Sequence, residues 1–276
     1  MFEDKVIPLD SWVSQAVDWL VENHRDFFQA VKWPVEQTLN GFDAGLNALH
    51  PLIVIGVIAI AAYRFSSKGL AIFSVITLVL IGLLGLWEDT MTTLAMVLAS
   101  VVFCALVGVP LGICAGRSDR FEASLRPVLD AMQTTPAFVY LVPIVMLFSV
   151  GNVAGVLATI VFALPPVIRL TSLGIRQVHP ELIEAAQAFG ATRWQVLKRV
   201  QIPLAMPTIM AGLNQTIMMA LSMVVIAALI GAGGLGSPVI LGLNTLDIGQ
   251  AVIGGLGIVL MAIILDRITQ AMAQKS

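Results

Sequence analysis

The sequence predicts an all-α integral membrane protein of about seven transmembrane helices, preceded by an amphipathic helix. Three observations predict it. Hydrophobic residues make up 58% of the 276 positions and charged residues 12%, against about 25% charged in an ordinary soluble domain. The charges are unevenly placed, because the first 50 residues hold eleven of the 32 (Glu3, Asp4, Lys5, Asp10, Asp18, Glu22, Arg25, Asp26, Lys32, Glu36 and Asp43). The rest of the chain falls into apolar stretches near the length needed to cross about 30 Å of hydrocarbon, about 20 residues. So few polar side chains cannot cover a soluble globule, which excludes a soluble enzyme. With a net charge of −2 there is no basic footprint for nucleic acid.

The N-terminal segment, 1–45, is not a span. Trp12, Val13, Ala16, Val17, Leu20 and Val21 fall at helical spacing, with Asp18, Glu22 and Asp26 interleaved and Trp19, Phe27, Phe28 and Trp33 nearby. That pattern suits an amphipathic helix lying in the outer membrane interface; a polar ectodomain packed on the spans is the alternative. The start, Met1-Phe-Glu-Asp-Lys, has neither the basic stretch nor the apolar core of a signal peptide.

The transmembrane part, 46–276, contains apolar stretches near 69–87, 91–115, 136–150, 152–169, 205–231 and 249–265. A seventh, Pro51–Tyr63, is long enough only if its helix starts near Phe42. The stretch 136–150 is short, which predicts tilting or a break around Pro143. Cys104 and Cys114 lie in apolar sequence and read as packing residues, not a disulfide framework.

Orientation follows from Lys and Arg. With the N-terminus outside and seven spans, the inner connections carry Arg64 and Lys68; Arg117, Arg120 and Arg126; Arg169, Arg176, Arg193, Lys198 and Arg199; and Arg267 and Lys275. The outer connections, at Glu88-Asp89, Gly151 and 232–248, carry none. The C-terminus is therefore expected in the cytoplasm.

The search for chemistry excludes more than it finds. His24, His50 and His179 sit in separate connections, so no metal or nucleophile constellation is visible. Lys is followed by Ser or Thr only at Lys275-Ser276, without the glycines of a phosphate-binding loop. The stretches 70–87, 90–116, 131–168, 200–246 and 248–265 hold no Asp, Glu, Lys, Arg or His. Ion-coupled transporters usually keep such groups inside their spans, so the energy must come from elsewhere. Neutral polar residues do occur: Gln133, Thr134 and Thr135 where one span begins, then Asn214, Gln215, Thr216 and Ser222. Asn214 and Ser222, eight apart, share a broad helix face. They fit either a pathway for a polar solute or interhelical hydrogen bonds.

The long inner connection, 170–203, parses as two short helices. Pro180 suits a first-turn position, Leu182, Ala185, Ala186 and Phe189 form an apolar stripe, and Gly190 offers a stop. Thr192-Arg-Trp-Gln195 is a capping-box pattern that opens a second helix, expected to end at Pro203. An apolar stripe flanked by Glu181 and Glu184 on an inner connection fits a docking element for a soluble partner. A solvated loop packed on its own spans fits as well.

This segment resembles a known signature. Glu184-Ala185-Ala186, three residues, Gly190, nine residues, then Val200-Gln201-Ile202-Pro203 is similar to the Glu-Ala-Ala, Gly, Ile-x-Leu-Pro pattern of binding-protein-dependent ABC importer permeases. It departs by Val200 for Ile and Ile202 for Leu, both conservative in volume. Asp130-Ala-Met-Gln-Thr-Thr-Pro-Ala-Phe-Val-Tyr-Leu-Val-Pro143, Phe162-Ala-Leu-Pro-Pro-Val-Ile-Arg169, Leu221-Ser-Met-Val-Val-Ile-Ala227, Gly231-Ala-Gly-Gly-Leu-Gly236 and Leu265-Asp-Arg-Ile-Thr269 resemble the glycine betaine/proline/choline branch. The resemblance covers roughly 50–270.

It implies a type I importer permease with a MetI-like core in the bacterial inner membrane, pairing with a second copy of itself. Two ATP-binding subunits would sit on the cytoplasmic face and hold ATP and magnesium, leaving this chain without a cofactor of its own. An extracytoplasmic substrate-binding protein would deliver the solute, expected to be separate or separately anchored because the chain stops ten residues after Asp266. Residues 180–195 would form the coupling helix, with Glu184, Ala185, Ala186, Gly190 and Pro203 as its marked positions. An uncharged pathway suits a zwitterion or quaternary cation, which carbonyls and the aromatic faces of Tyr140 or Phe138 could hold, although core packing is the better fit for both aromatics. Gln133, Phe138, Tyr140, Asn214, Thr216 and Ser222 are the candidate pathway residues. The rival functions are a secondary transporter or channel working without an ATPase, and a membrane scaffold that carries no solute.

Overall fold

A computed structural model describes residues 9–275. Residues 1–8 and 276 lie outside it, as do the side chains of Leu9, Asp10, Gln274 and Lys275, and with them the charged start at Glu3, Asp4 and Lys5. The described chain is helical, with no strand among the described residues. Thirteen α-helices follow in order: α1 (Leu9–Asn23), α2 (Arg25–Ala48), α3 (Pro51–Phe65), α4 (Lys68–Leu83), α5 (Trp87–Arg117), α6 (Asp119–Thr134), α7 (Leu141–Phe148), α8 (Asn152–Arg176), α9 (Pro180–Ala188), α10 (Arg193–Val196), α11 (Ile202–Ala228), α12 (Gly236–Thr245) and α13 (Ile248–Lys275). A 3-10 turn, Ala137–Tyr140, precedes α7, and a π-helical turn, Leu197–Gln201, precedes α11.

Four helical stretches are long and apolar enough to cross a membrane alone: α5, α8, the run Arg193–Ala228 and α13. The pairs α2–α3 and α6–α7 reach that length only together, and they are bent by 107° and 104°. The apolar α4, 16 residues long, pairs with α3.

Prolines account for the bends, though not all at the expected positions. The residue before a proline is pushed out of the helical region toward extended backbone. His50 (φ −59, ψ 136), Thr135 (φ −70, ψ 126) and His179 (φ −54, ψ 128) all adopt it, and each precedes a proline where one helix ends and the next begins. A continuous helix from Phe42 through Tyr63 is therefore corrected to two helices meeting at Pro51. The break in 136–150 falls at Pro136, whereas Pro143 sits in the first turn of α7, where a missing N–H costs nothing. The expected stop at Pro203 is corrected in the opposite direction. There the helix runs on, because the π turn before it lets the Ile202 N–H reach the Leu197 carbonyl. The wider turn relieves the clash of the proline ring with the carbonyl four residues back.

The central layer is α8, gripped between α5 and α11. Gly108, Gly112 and Gly116 recur every four residues along α5 and bring its backbone against α8. A Cβ at 112 would stand 2.5 Å from Thr171 Cβ and 2.7 Å from the Ile168 carbonyl oxygen. On the other side, a Cβ at Gly212 of α11 would meet the Val167 Cα at 3.1 Å. Helices in lipid gain little from hydrophobic exclusion, so close backbone approach through small residues supplies their packing. A second cluster, including Leu78, Ile81, Leu235, Met261 and Ile264, ties α4, α12 and α13 to the start of α5.

The N-terminal helices differ from each other. In α1 the predicted stripe is largely outward, with Trp12, Val13, Ala16 and Leu20 exposed and Val17 and Val21 half-buried. In α2, Val35 and Leu39 are buried with Phe42 and Leu46 beside them, packed on the central layer.

Candidate functional site

The segment 177–201 begins where α8 ends. Buried Val178 leads to Pro180 at the first position of α9. Ile175, Leu197, Ala205 and Ile209 form a buried cluster at its root, so the ends of α8 and α11 hold it as one unit. Above that root α9 buries no residue.

The local chemistry of α9 is what its residues call for. Phe189 caps the helix, Gly190 adopts φ +83, its N–H donates to the Gln187 carbonyl at 2.9 Å, and the Ala191 N–H donates to the Ala186 carbonyl at 3.0 Å. This is a Schellman stop, and its left-handed residue is the one glycine adopts without a Cβ penalty. Thr192 and Gln195 then form both halves of the capping box that opens α10. Residues 193–195 thus belong to the helix continuing into α11, and the expected segment 180–195 is α9 plus the start of that next helix.

The surface is apolar where it projects. Phe189 is 93% exposed, Trp194 65% and Leu182 46%, with Glu181, Glu184 and Ala185 also exposed and Ala186 half-buried. Large exposed apolar side chains rimmed by acids are the composition of a contact surface. Pro203 lies apart, at the start of α11.

The six pathway candidates are not brought together. Thr216 is fully buried and donates to the Ala163 carbonyl of α8 at 2.9 Å. Asn214 donates to Asp266 Oδ1 at 2.9 Å and accepts from the Thr269 hydroxyl, both on α13. These two are interhelical bonds. The Tyr140 hydroxyl donates to the Met132 carbonyl at 2.6 Å, four residues before Pro136, whose ring nitrogen has no proton to offer that oxygen. Tyr140 therefore closes the bend between α6 and α7. Gln133 and Phe138 are exposed on either side of that bend, and Ser222 is exposed on α11 with its hydroxyl on the Met218 carbonyl.

One of the neutral polar residues of the spans lies outside those six. Gln215, near the middle of α11, is exposed, and with Leu204, Pro207, Ala211, Met218 and Ser222 it makes one continuous exposed stripe. Its spacing to Ser222 is seven residues, about 20° from eclipsed, a closer match than Asn214 at about 80°. The 3-10 turn carrying Phe138 packs against the same helix. An amide facing lipid at mid-span is costly, so this stripe faces protein or water.

Comparison with known proteins adds the following. The sequence model of the family described as "Binding-protein-dependent transport system inner membrane component" matches residues 108–276. The chain is 55% identical over 275 residues to the glycine betaine/proline betaine transport system permease protein ProW of Escherichia coli, covering 100% of this chain and 78% of that one. It is 46% identical to the glycine betaine transport system permease protein OpuAB of Bacillus subtilis (96% of this chain, 94% of that one). It is 45% identical to the glycine betaine/carnitine transport permease protein GbuB of Listeria monocytogenes (98% and 97%). Among solved structures, an inward-facing MetNI methionine ABC transporter chain shares the fold at TM-score 0.62 and 21% identity, covering 69% of this chain and 95% of that one.

Proposed function

Because this chain belongs to the family of binding-protein-dependent transport system inner membrane components, a transport subunit and not an enzyme, we propose that it carries a quaternary amine or related compatible solute inward. Glycine betaine, choline, carnitine and proline are the solutes to test first. The relatives named above are named for glycine betaine, proline betaine or carnitine, and the spans offer neutral polar groups in place of charge. Two copies form the passage, each resting on one ATP-binding subunit, and a separate binding protein delivers the solute from outside.

The observation that carries this reading is α9, an exposed, rigidly stopped helix rooted between the ends of α8 and α11. In this assignment Glu184, Ala185, Ala186, Phe189 and Gly190 seat in a groove of the ATPase, and Pro203 with the π turn sets the angle of α11 above it. When the two ATPases close on ATP, α9 moves and the spans rock, opening the passage outward to the docked binding protein. Nucleotide hydrolysis returns it inward. The basic residues Arg117, Arg120, Arg126, Arg176 and Arg193 lie at the α9 end, which supports a cytoplasmic α9 with the N-terminus outside. There α1 lies in the outer interface, its tryptophans at headgroup level. The solute passes the Gln215–Ser222 stripe and the bend at Gln133 and Phe138; Asn214, Thr216 and Tyr140 support these from behind.

Proteoliposomes holding the permease with and without its own ATPase and binding protein test this directly. Uptake of labelled glycine betaine is expected only with both partners and ATP. Uptake by the permease alone would make it a secondary transporter or channel. ATPase binding without any uptake would make it a scaffold.

A further inference from the structure

Arg176 is the last residue of α8, four positions before α9 begins at Pro180. Its guanidinium donates to Asp119 Oδ1 at 2.6 Å and to the Ala115 carbonyl at 2.8 Å, and it forms an ion pair with Glu122 Oε2 at 2.8 Å. Asp119 and Glu122 are the acids of the first turn of α6, where negative charge complements the helix dipole. Ala115 lies in the last turn of α5, whose carbonyls lack i+4 partners; its carbonyl also accepts the Ser118 N–H at 3.4 Å. One side chain therefore joins the end of α5, the start of α6 and the end of α8. Glu122 is backed by Arg126 at 3.4 Å.

A second rung stands two turns along α8, where Arg169 pairs with Asp130 of α6. The rungs run in opposite sequence directions, so α6 lies antiparallel to α8. Between them is a cavity of about 360 Å³ with Leu125, Leu129, Ile168 and Leu173 in its walls. The Ser172 hydroxyl, on the same stretch of α8, is buried without a partner. The α6–α8 contact is thus carried by charged hydrogen bonds at its two ends, with space where side chains would otherwise interlock. At its far end α6 reaches the Pro136 bend.

We propose that Arg176 is a positioning residue of the transport cycle: it passes the displacement of α9 to α6, and α6 passes it to the bend bearing Gln133 and Phe138. The inference rests on the reading of α9 as the ATPase contact. The alternative role for Arg176, simple anchoring of the fold, would affect the amount of assembled protein but not the use made of each ATP.

The test uses the full transporter in proteoliposomes and reads solute taken up per ATP hydrolysed, alongside co-purification of the ATPase. Arg176→Ala is expected to lower that ratio about tenfold, the scale of a charged hydrogen-bond hub, with ATPase co-purification unchanged. Asp119→Asn with Glu122→Gln, which leaves Arg176 in place, is expected to give the same fall, and combining all three changes should add nothing. Arg176→Lys should keep part of the ratio. An unchanged ratio, or losses that multiply, would overturn the proposal. So would loss of the ATPase from Arg176→Ala, since that would place the residue in the docking surface. If Arg176→Ala does not accumulate, the Asp119/Glu122 variant decides by the same ratio. Phe189→Ala, scored only by ATPase co-purification, tests the α9 reading separately.

Discussion

The two sides of α8 are built differently. Toward α5 and α11 it meets glycine after glycine, with a Cβ at 112 left 2.5 Å from Thr171. Toward α6 it is held by arginine–carboxylate pairs across a cavity of about 360 Å³. Close-packed helices move as one body because any shift forfeits many contacts at once. Exposed ion pairs are each worth little, so a small displacement across them forfeits less than one across a close-packed face. The difference divides the molecule into a rigid α5–α8–α11 block, into which α7 packs through Leu141 and Ile144, and an α6 attached to α8 near its two ends.

The largest expected effect lies in the block. Gly112→Leu puts a side chain where Thr171 and the Ile168 carbonyl already stand, and should destabilise the protein by about 3 kcal/mol or more. Gly255→Leu on α13 is the control, with nothing within 4 Å of its Cβ. Thermal unfolding in detergent should separate the two. Equal melting temperatures would mean that the α5–α8 interface is not the rigid element.

Next comes the helix at the block's lower edge. Gly190→Ala forces a Cβ into φ +83, at a cost of about 1–2 kcal/mol for a left-handed residue. Because α9 buries nothing, that strain should fray α9 locally and leave the melting temperature unchanged. Protease susceptibility near Gly190 should rise and ATPase co-purification should fall. Phe189→Ala should lower co-purification with no change in either stability measure, since the ring is 93% exposed. A drop in melting temperature for either variant would show α9 to be part of the block.

Much of this division could be read in the residues. The Pro180 start, the Gly190 stop and the Thr192–Gln195 box are local chemistry, decided within four residues, and they stand where the spacing put them. Apolar length and charge placement located the helices of the block. The failures were all nonlocal or conditional. A proline breaks a helix or passes through it depending on the turn before it, and the π turn at Leu197–Gln201 carries no separate composition. The ion-pair ladder joins residues 39 and 57 positions apart, and no periodicity within one helix reveals it. Asn214 and Gln215 are adjacent amides that their residue type alone does not separate. Only the neighbouring α13, with Asp266 and Thr269, decides which of the two is already bonded.

The smallest expected effect separates the two faces of α11. Thr216 and Gln215 are adjacent, yet one hydroxyl is buried on the Ala163 carbonyl while its neighbour's amide is exposed. Thr216→Val keeps the shape and removes one interhelical hydrogen bond, a loss of about 0.6 kcal/mol by membrane-protein averages. Its melting temperature should fall slightly, and the dependence of uptake on solute concentration should stay as in the parent. Gln215→Leu removes a polar group from the exposed stripe without touching the block, so its melting temperature should hold while uptake at saturating binding protein falls. If the responses are exchanged, with Thr216→Val impairing uptake and Gln215→Leu lowering stability, the passage runs along the α8 side of α11 and the rigid block must open there during transport.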